Sequence, residues 1–293
     1  MRTGSSPARR LRQQPWHPAE QVRRQLGSSV RRMFNDPGKG EAPVIATADA
    51  LFAPDTPIRM VHADVTSMMV GGIAALLLQM LHPHALQGVL DHSDFRTDLD
   101  GRLRRTARFI AVTTYGPVAE AGRVIGRVNA IHRHVNGTLP DGTPYSATDP
   151  VTLAWVHLAE AWSFLHAYVA LVRPDMPGAE QDEYYRQFAT VARRLGADPV
   201  PESRAQAAEL MAAMRPSLRA SRITRDVAHT VLAHRGGSIG ALAQPVLTRS
   251  AVDLLPPFAR TQLGLHSTGL PAIGTRLATR MLGGTIRWAL RPA

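Results

Sequence analysis

The chain has 293 residues, of which 44% are hydrophobic, so it can bury one large core or two modest ones, and we expect one. It contains no cysteine, which excludes disulfides, zinc fingers, iron–sulfur clusters and thiolate-ligated haem, so a transition metal would need His or carboxylate ligands. The only lysine among 34 basic residues is Lys39, in a Gly/Pro segment, which argues against Schiff-base chemistry and a P-loop phosphate site.

The net charge of +11 is concentrated at the N-terminus. Residues 1–40 hold nine basic residues against two acidic ones, a net +7, whereas the remaining 253 residues hold 25 against 21. This segment is expected to be a basic, flexible arm, followed by a single domain over residues 41–293. No nucleic-acid-binding signature accompanies the charge, so we expect no nucleic-acid partner. The arm lacks the apolar stretch of a secretory signal, and we expect a cytoplasmic protein, with peripheral membrane contact through the basic termini left open.

The elements predicted along the chain are helices. A short helix is expected at residues 18–33 and a loop at 36–57. Residues 65–81 then run without a charge, but this run is short for a membrane span and contains two adjacent glycines, so a buried central helix is predicted. Further helices are predicted at 98–115, 117–135, 151–172, 181–195, 202–214 and 218–233, with a basic amphipathic segment at 275–291. No segment alternates convincingly with period two, and the predicted fold class is all-α.

Histidines cluster in the middle of the chain, where seven of the twelve fall within residues 82–166. His132 lies near an apolar stripe formed by Val124, Val128, Ile131 and Val135, which recur at steps of four, three and four. This spacing predicts an amphipathic helix. From these residues alone, His132 is either a packed core histidine or a ligand.

Residues 100–109 carry a second candidate feature. On a helix, Arg102, Arg105 and Thr106 share one face and form a cationic patch that bears a hydroxyl. The alternative is a solvated charged face, which is our interpretation for Arg104 and Arg108. No HExxH, Glu-x-x-His or GxGxxG motif is present, and a non-haem triad of two His and one carboxylate is not signalled by any spacing.

Several separate motifs together resemble the catalytic domain shared by bacterial latex-clearing protein (rubber oxygenase) and the fungal oxygenase MpaB. The resemblance runs from about residue 58 to 255 and keeps the order and spacing of the motifs. They are Leu78-Gln79, His82-Pro83, Asp91-His92-Ser93-Asp94-Phe95, Gly101-Arg102-Leu103, Thr106, Tyr115-Gly116, Val128, Ile131-His132, Val135, Gly137, Gly142, Pro144-Tyr145-Ser146-Ala147, Asp149-Pro150 and Trp155-Val156-His157.

The resemblance implies a globin-like helical domain around a buried pocket for one haem b, with His132 as the proximal iron ligand. Arg102 and Thr106 fall on the arginine and threonine that border the haem in the rubber oxygenase. Arg105 replaces a haem-contacting lysine, and a guanidinium cannot become a neutral amine ligand. The glutamate proposed as a base in the rubber enzyme has no counterpart that the motifs place.

Three further residues complete the expected site. Gln79 and His82 are about one helical turn apart and are expected to face the cofactor cavity. His157 is the alternative iron ligand or a partner of the ligand. We interpret His84, His134 and His166 as structural.

Two functions follow from these expectations. The first is a haem b-dependent oxygenase that uses dioxygen on a small apolar substrate, an isoprenoid or another alkene. The alternative is a non-catalytic haem- or lipid-binding protein associated with a membrane. The sequence does not predict the oligomeric state.

Overall fold

The computed structural model describes residues 42–95, 97–234, 238–265 and 272–290. Within these ranges the chain is helical apart from one two-stranded hairpin, so the all-α prediction is confirmed. The helix expected at residues 18–33 lies outside the described residues. The helices and strands are α1 (Pro57–Ala63), α2 (Val65–Gln79), α3 (Pro83–His92), α4 (Leu99–Tyr115), α5 (Val118–His132), β1 (Asn136–Thr138), β2 (Pro144–Ser146), α6 (Pro150–Leu171), α7 (Gly178–Arg194), α8 (Arg204–Met214), α9 (Arg222–Ala233), α10 (Ser238–Leu254), α11 (Pro257–Leu263) and α12 (Ala272–Leu290).

The centre of the fold is the pair α2 and α6, which pack against each other along much of their length. Both helices are apolar on nearly all sides, as expected of helices surrounded by protein. Gly71 permits their close approach, because a Cβ atom there would lie 2.9 Å from the Cα atom of Phe164. The uncharged run of residues 65–81 therefore forms a buried central helix over most of its length, as predicted.

The other helices surround this pair. Helices α10 and α12 pack against α2 and α6, while α1 packs against α2, α4, α6 and α7. Helix α5 packs against α4. Within the described ranges, no single helix is both long and apolar enough to cross a membrane, and α1 and α2 meet that criterion only as a pair bent by 92°.

Carboxylate side chains cap the helices that carry the site. Asp98 accepts a hydrogen bond from the backbone N–H of Gly101 at the start of α4. Asp149 accepts one from Thr152 at the start of α6, where Pro150 occupies the first turn. These caps satisfy backbone donors that have no partner inside a helix.

The region after His132 differs from the prediction. Helix α5 ends at His132 rather than at residue 135, and the chain then forms the β1–β2 hairpin, with Gly137 opposite Tyr145. A Cβ atom at Gly137 would lie 2.8 Å from the Tyr145 hydroxyl, which donates a hydrogen bond to Asp91. This tertiary contact stabilises two three-residue strands that are too short to give a periodic signal.

Candidate functional site

Five half-buried or buried polar side chains from four helices meet beside the central pair. We call them the polar cluster: Gln79 at the end of α2, Arg102 on α4, His132 at the end of α5, and His157 and Glu160 on α6.

Direct contacts and electrostatic interactions link the members of the polar cluster. The Gln79 Nε2 atom donates to the backbone carbonyl of Val156 and to Glu160 Oε1, both at 3.3 Å. The other Glu160 oxygen lies 4.0 Å from His157 Nδ1. Arg102 interacts electrostatically with Glu160, and His132 with His157. The cluster therefore brings a cation, a carboxyl group and two imidazoles into one region.

Glu160 has the most unusual environment in the polar cluster. Burial raises the pKa of its carboxyl group from 4.5 to about 7, while the Gln79 hydrogen bond and the charge of Arg102 oppose that rise. A carboxyl group with such a pKa is half protonated near neutral pH and can release or accept a proton there. The sequence analysis missed Glu160, although its spacing of three from His157 places both on one helix face.

Arg102 supplies a permanent positive charge next to this carboxyl group. Burial lowers the pKa of its guanidinium, the neighbouring Arg105 lowers it further, and Glu160 acts in the opposite direction. Because an arginine pKa starts so far above neutrality, the group stays charged. Arg102 can therefore bind an anionic group or stabilise developing negative charge.

The two histidines of the polar cluster are neutral, and each has one ring nitrogen without a hydrogen-bond partner. Burial lowers the pKa of His132; burial, together with the repulsion that a protonated His132 would exert, lowers the pKa of His157 to about 4. The Nδ1 atom of each ring is buried without a hydrogen-bond partner. Neutral imidazoles with unpartnered nitrogens are suited to coordinating a metal.

A second set of buried polar groups adjoins Glu160. The ring of His62 hydrogen-bonds to the Thr114 hydroxyl at 2.8 Å and to the Tyr184 hydroxyl at 3.3 Å, and burial lowers its pKa to about 3. Tyr184 is fully buried, and burial together with the charges of Tyr185 and Glu160 raises its pKa. The sequence analysis did not single out His62 or Tyr184, because they come from helices far apart in the chain.

The other predicted site residues lie outside the polar cluster. Arg105 is 56% exposed and donates to Asp98 at 3.3 Å. Thr106 is exposed and its hydroxyl donates to the backbone carbonyl of Arg102.

His82 belongs to a different group of side chains. It is buried at the start of α3, with its ring centroid 5.2 Å from that of His84. Burial, with smaller contributions from His84 and Arg219, lowers its pKa to about 4, and Asp149 acts in the opposite direction. The structure thus brings Gln79, Arg102, His132 and His157 together and places His82 with other partners.

A small cavity of about 10 Å³, enough for about one water molecule, adjoins the polar cluster at His157. Its lining is largely apolar and comes from α6, α7 and the segment after α7; it includes Leu158, Tyr185, Phe188 and Val200. This lining makes the surroundings of His157 largely apolar.

Within the described ranges, no three His, Asp or Glu side chains are grouped so that they could hold a metal ion. A haem iron takes its other ligands from the porphyrin, so one imidazole from the protein is enough. The unpartnered nitrogen of His132 or His157 fits that requirement.

Comparison with known proteins gives one match. The family model described as "ER-bound oxygenase mpaB/B'/Rubber oxygenase, catalytic domain" matches residues 59–288. The match covers α2 to α6 with every residue of the polar cluster, and extends beyond the resemblance noted from the motifs, which ends near residue 255. No curated protein and no solved structure matches the chain.

Proposed function

The chain belongs to the mpaB and rubber oxygenase catalytic-domain family, and we propose that it is a haem b-dependent oxygenase that acts on a small apolar substrate with dioxygen. The observation that carries the proposal is the pair of neutral imidazoles in the polar cluster, each with a buried, unpartnered ring nitrogen. His132 is the proposed iron ligand and His157 the alternative.

The residues around the proposed ligand fit a haem in charge as well as in donor type. Arg102 is a half-buried cation that can pair with a haem propionate. His132 is the last residue of α5, so its ring reaches the cluster from the end of a helix. A globin-like arrangement of helices around the pocket is part of the proposal.

Haem, when bound, would supply the redox chemistry that activates dioxygen. The protein's own groups would control protons and exclude water. Glu160 can exchange a proton near neutral pH, and Gln79 holds its carboxyl group in place. Phe188 and the fully buried Tyr184 form an aromatic wall beside His157. Glu160 thereby becomes the candidate for the acid–base group that the motifs did not place.

The apolar surroundings of His157 support an alkene-containing substrate, for which an isoprenoid is one class. One observation favours the second candidate, a non-catalytic haem- or lipid-binding protein. Arg105 and Thr106, which the resemblance places next to the haem, expose their side chains to solvent. Such exposure leaves fewer polar groups for catalysis.

The first test is the visible absorption spectrum of the full chain, purified after expression with ample haem, together with a haem assay by pyridine haemochrome. We expect a Soret band and about one haem per chain, because the proposal assigns one histidine to hold the iron. A colourless protein would refute the haem proposal.

The ligand is identified by three alanine variants measured in the same way. His132→Ala is expected to lose most of the bound haem, whereas the exposed His134→Ala, two residues further on, should retain it. Loss of haem in His157→Ala with retention in His132→Ala would transfer the ligand role to His157.

Oxygenase and carrier are separated by oxygen consumption in the presence of apolar alkenes. An oxygenase consumes dioxygen only when substrate is added, and Arg102→Gln should keep haem but lose most of that consumption. A haem-loaded protein that consumes no dioxygen with any alkene of the series would favour the carrier.

A further inference from the structure

Helix α12 has an apolar stripe on its outer side. Leu277, Met281 and Trp288 are 60%, 67% and 40% exposed. At 3.6 residues per turn these positions fall within about 40° of one another around the helix axis. No other helix or strand in the described residues has more than two exposed large hydrophobic side chains. The stripe on α12 is therefore the largest group of such side chains on one element.

Positive charge lies along one side of this stripe. Arg276, Arg280 and Arg287 also fall within about 40° of one another, next to the apolar residues, and α12 contains no acidic residue. The Arg276 side chain is exposed to solvent. Arg280 donates to the backbone carbonyl of Ala170 on α6.

The inner side of α12 is firmly attached to the rest of the fold. Thr279 is fully buried and hydrogen-bonds to Ser250 on α10. Arg287 pairs with the buried Asp64 at 2.7 Å. The outer stripe is therefore displayed on a helix whose opposite side packs on α2, α6 and α10.

We propose that the outer side of α12 docks this protein on an anionic lipid surface, with Leu277 and Met281 inserted among the acyl chains and Trp288 and Arg276 at the headgroups. Apolar residues beside arginines, with a tryptophan at the level of the headgroups, are the features by which amphipathic helices lie in a membrane interface. Charge complementarity favours an anionic lipid surface over two other partners for this side of α12, namely the N-terminal segment and a second copy of the chain. The basic segment of residues 1–40 would be repelled by the arginines of α12, and a second copy would bring the same three arginines.

The test is co-sedimentation of the full chain with vesicles of phosphatidylcholine alone and of phosphatidylcholine mixed with phosphatidylglycerol. We expect binding to the anionic vesicles. The triple variant Leu277→Ser/Met281→Ser/Trp288→Ser should bind these vesicles at least about tenfold more weakly, because it removes three side chains that would be buried in lipid. Arg276→Gln should weaken binding about fivefold on anionic vesicles only.

The matched controls lie on α9, where Ile223 is 44% exposed and the Arg222 side chain 94% exposed. Ile223→Ser and Arg222→Gln should bind vesicles as the unmodified chain does. All substituted side chains are exposed, so far-UV circular dichroism should be unchanged in each variant.

Two results would overturn the proposal. If the triple variant binds anionic vesicles as tightly as the unmodified chain, the basic N-terminal segment is the site of lipid binding and α12 is not. If the triple variant turns a dimer into a monomer in size-exclusion chromatography while vesicle binding is unchanged, a second copy covers the stripe. The vesicle assay needs no haem and no turnover, so its failure is distinct from failure of the oxygenase proposal.

Discussion

Replacing Glu160 with glutamine tests the environment of the polar cluster most directly. The pKa of this carboxyl group is raised from 4.5 to about 7, mainly by burial. The folded protein therefore binds this proton more tightly than the unfolded chain does, and stability is lost as the pH rises from about 4.5 through 7. The full shift corresponds to about 3 kcal/mol, of which about 2.5 kcal/mol falls between pH 5 and pH 8.

Glutamine keeps the shape of the side chain and the oxygen that accepts from Gln79, but it does not titrate. Glu160→Gln should therefore become more stable relative to the unmodified chain by about 2.5 kcal/mol between pH 5 and pH 8. The assay is urea unfolding of the haem-free protein followed by far-UV circular dichroism at both pH values. Comparing the free energies of unfolding at the two pH values cancels any effect of the substitution that does not depend on pH, including its effect on Arg102.

Glu209→Gln provides the matched control, because Glu209 is an exposed carboxylate on α8. Its effect should change by no more than a few tenths of a kcal/mol between the two pH values. If the stability difference between Glu160→Gln and the unmodified chain is the same at pH 5 and pH 8, the carboxyl group is not held in an apolar environment. The proton-exchange role proposed for Glu160 would then fail.

Two further predictions concern the packing of α2. Gly71→Ala should be less stable than Gly72→Ala by about 1–3 kcal/mol in urea unfolding, because a Cβ atom would lie 2.9 Å from the backbone of Phe164 at the first position and 3.9 Å from its ring at the second. The gain in helix propensity is the same for both variants, so equal stabilities would contradict the close approach of α2 and α6. Asp64→Ala should lower the free energy of unfolding by about 2–3 kcal/mol, because it removes the N-cap of α2 and leaves Arg287 of α12 without its carboxylate. Arg287→Gln keeps the cap and should cost less; a larger loss than that of Asp64→Ala would contradict this assignment.

Most of the helical regions were predictable from local patterns. The uncharged run of α2, the N-cap Asp149 and the apolar content of α6 are read from neighbouring residues, because helix capping and burial leave periodic or positional signals. Helix boundaries were less accurate where a tertiary contact decides them. Helix α5 ends at His132, and the chain then continues into β1, which pairs with β2. Residues 133–135 carry no sequence signal that predicts this pairing.

Four of the five members of the polar cluster were predictable from the sequence, but Glu160 and the arrangement of the cluster were not. Gln79, Arg102, His132 and His157 were named from the sequence, and the structure brings them together. Arg105 and Thr106 share a helix with Arg102, yet their side chains are exposed, because a helix face can be half covered by its neighbours. Their catalytic roles remain predictions.

The amino-acid sequence is sufficient to determine that this chain is helical, that α2 is buried and that its family is that of the mpaB and rubber oxygenase catalytic domains, because these properties depend on composition, periodicity and ordered motifs. Only the tertiary structure decides that Glu160 has a pKa near neutrality and that His62 contacts Tyr184. A pKa shift depends on burial and on charges brought by other helices. Such contacts join residues that are distant in the chain, and no local pattern records them.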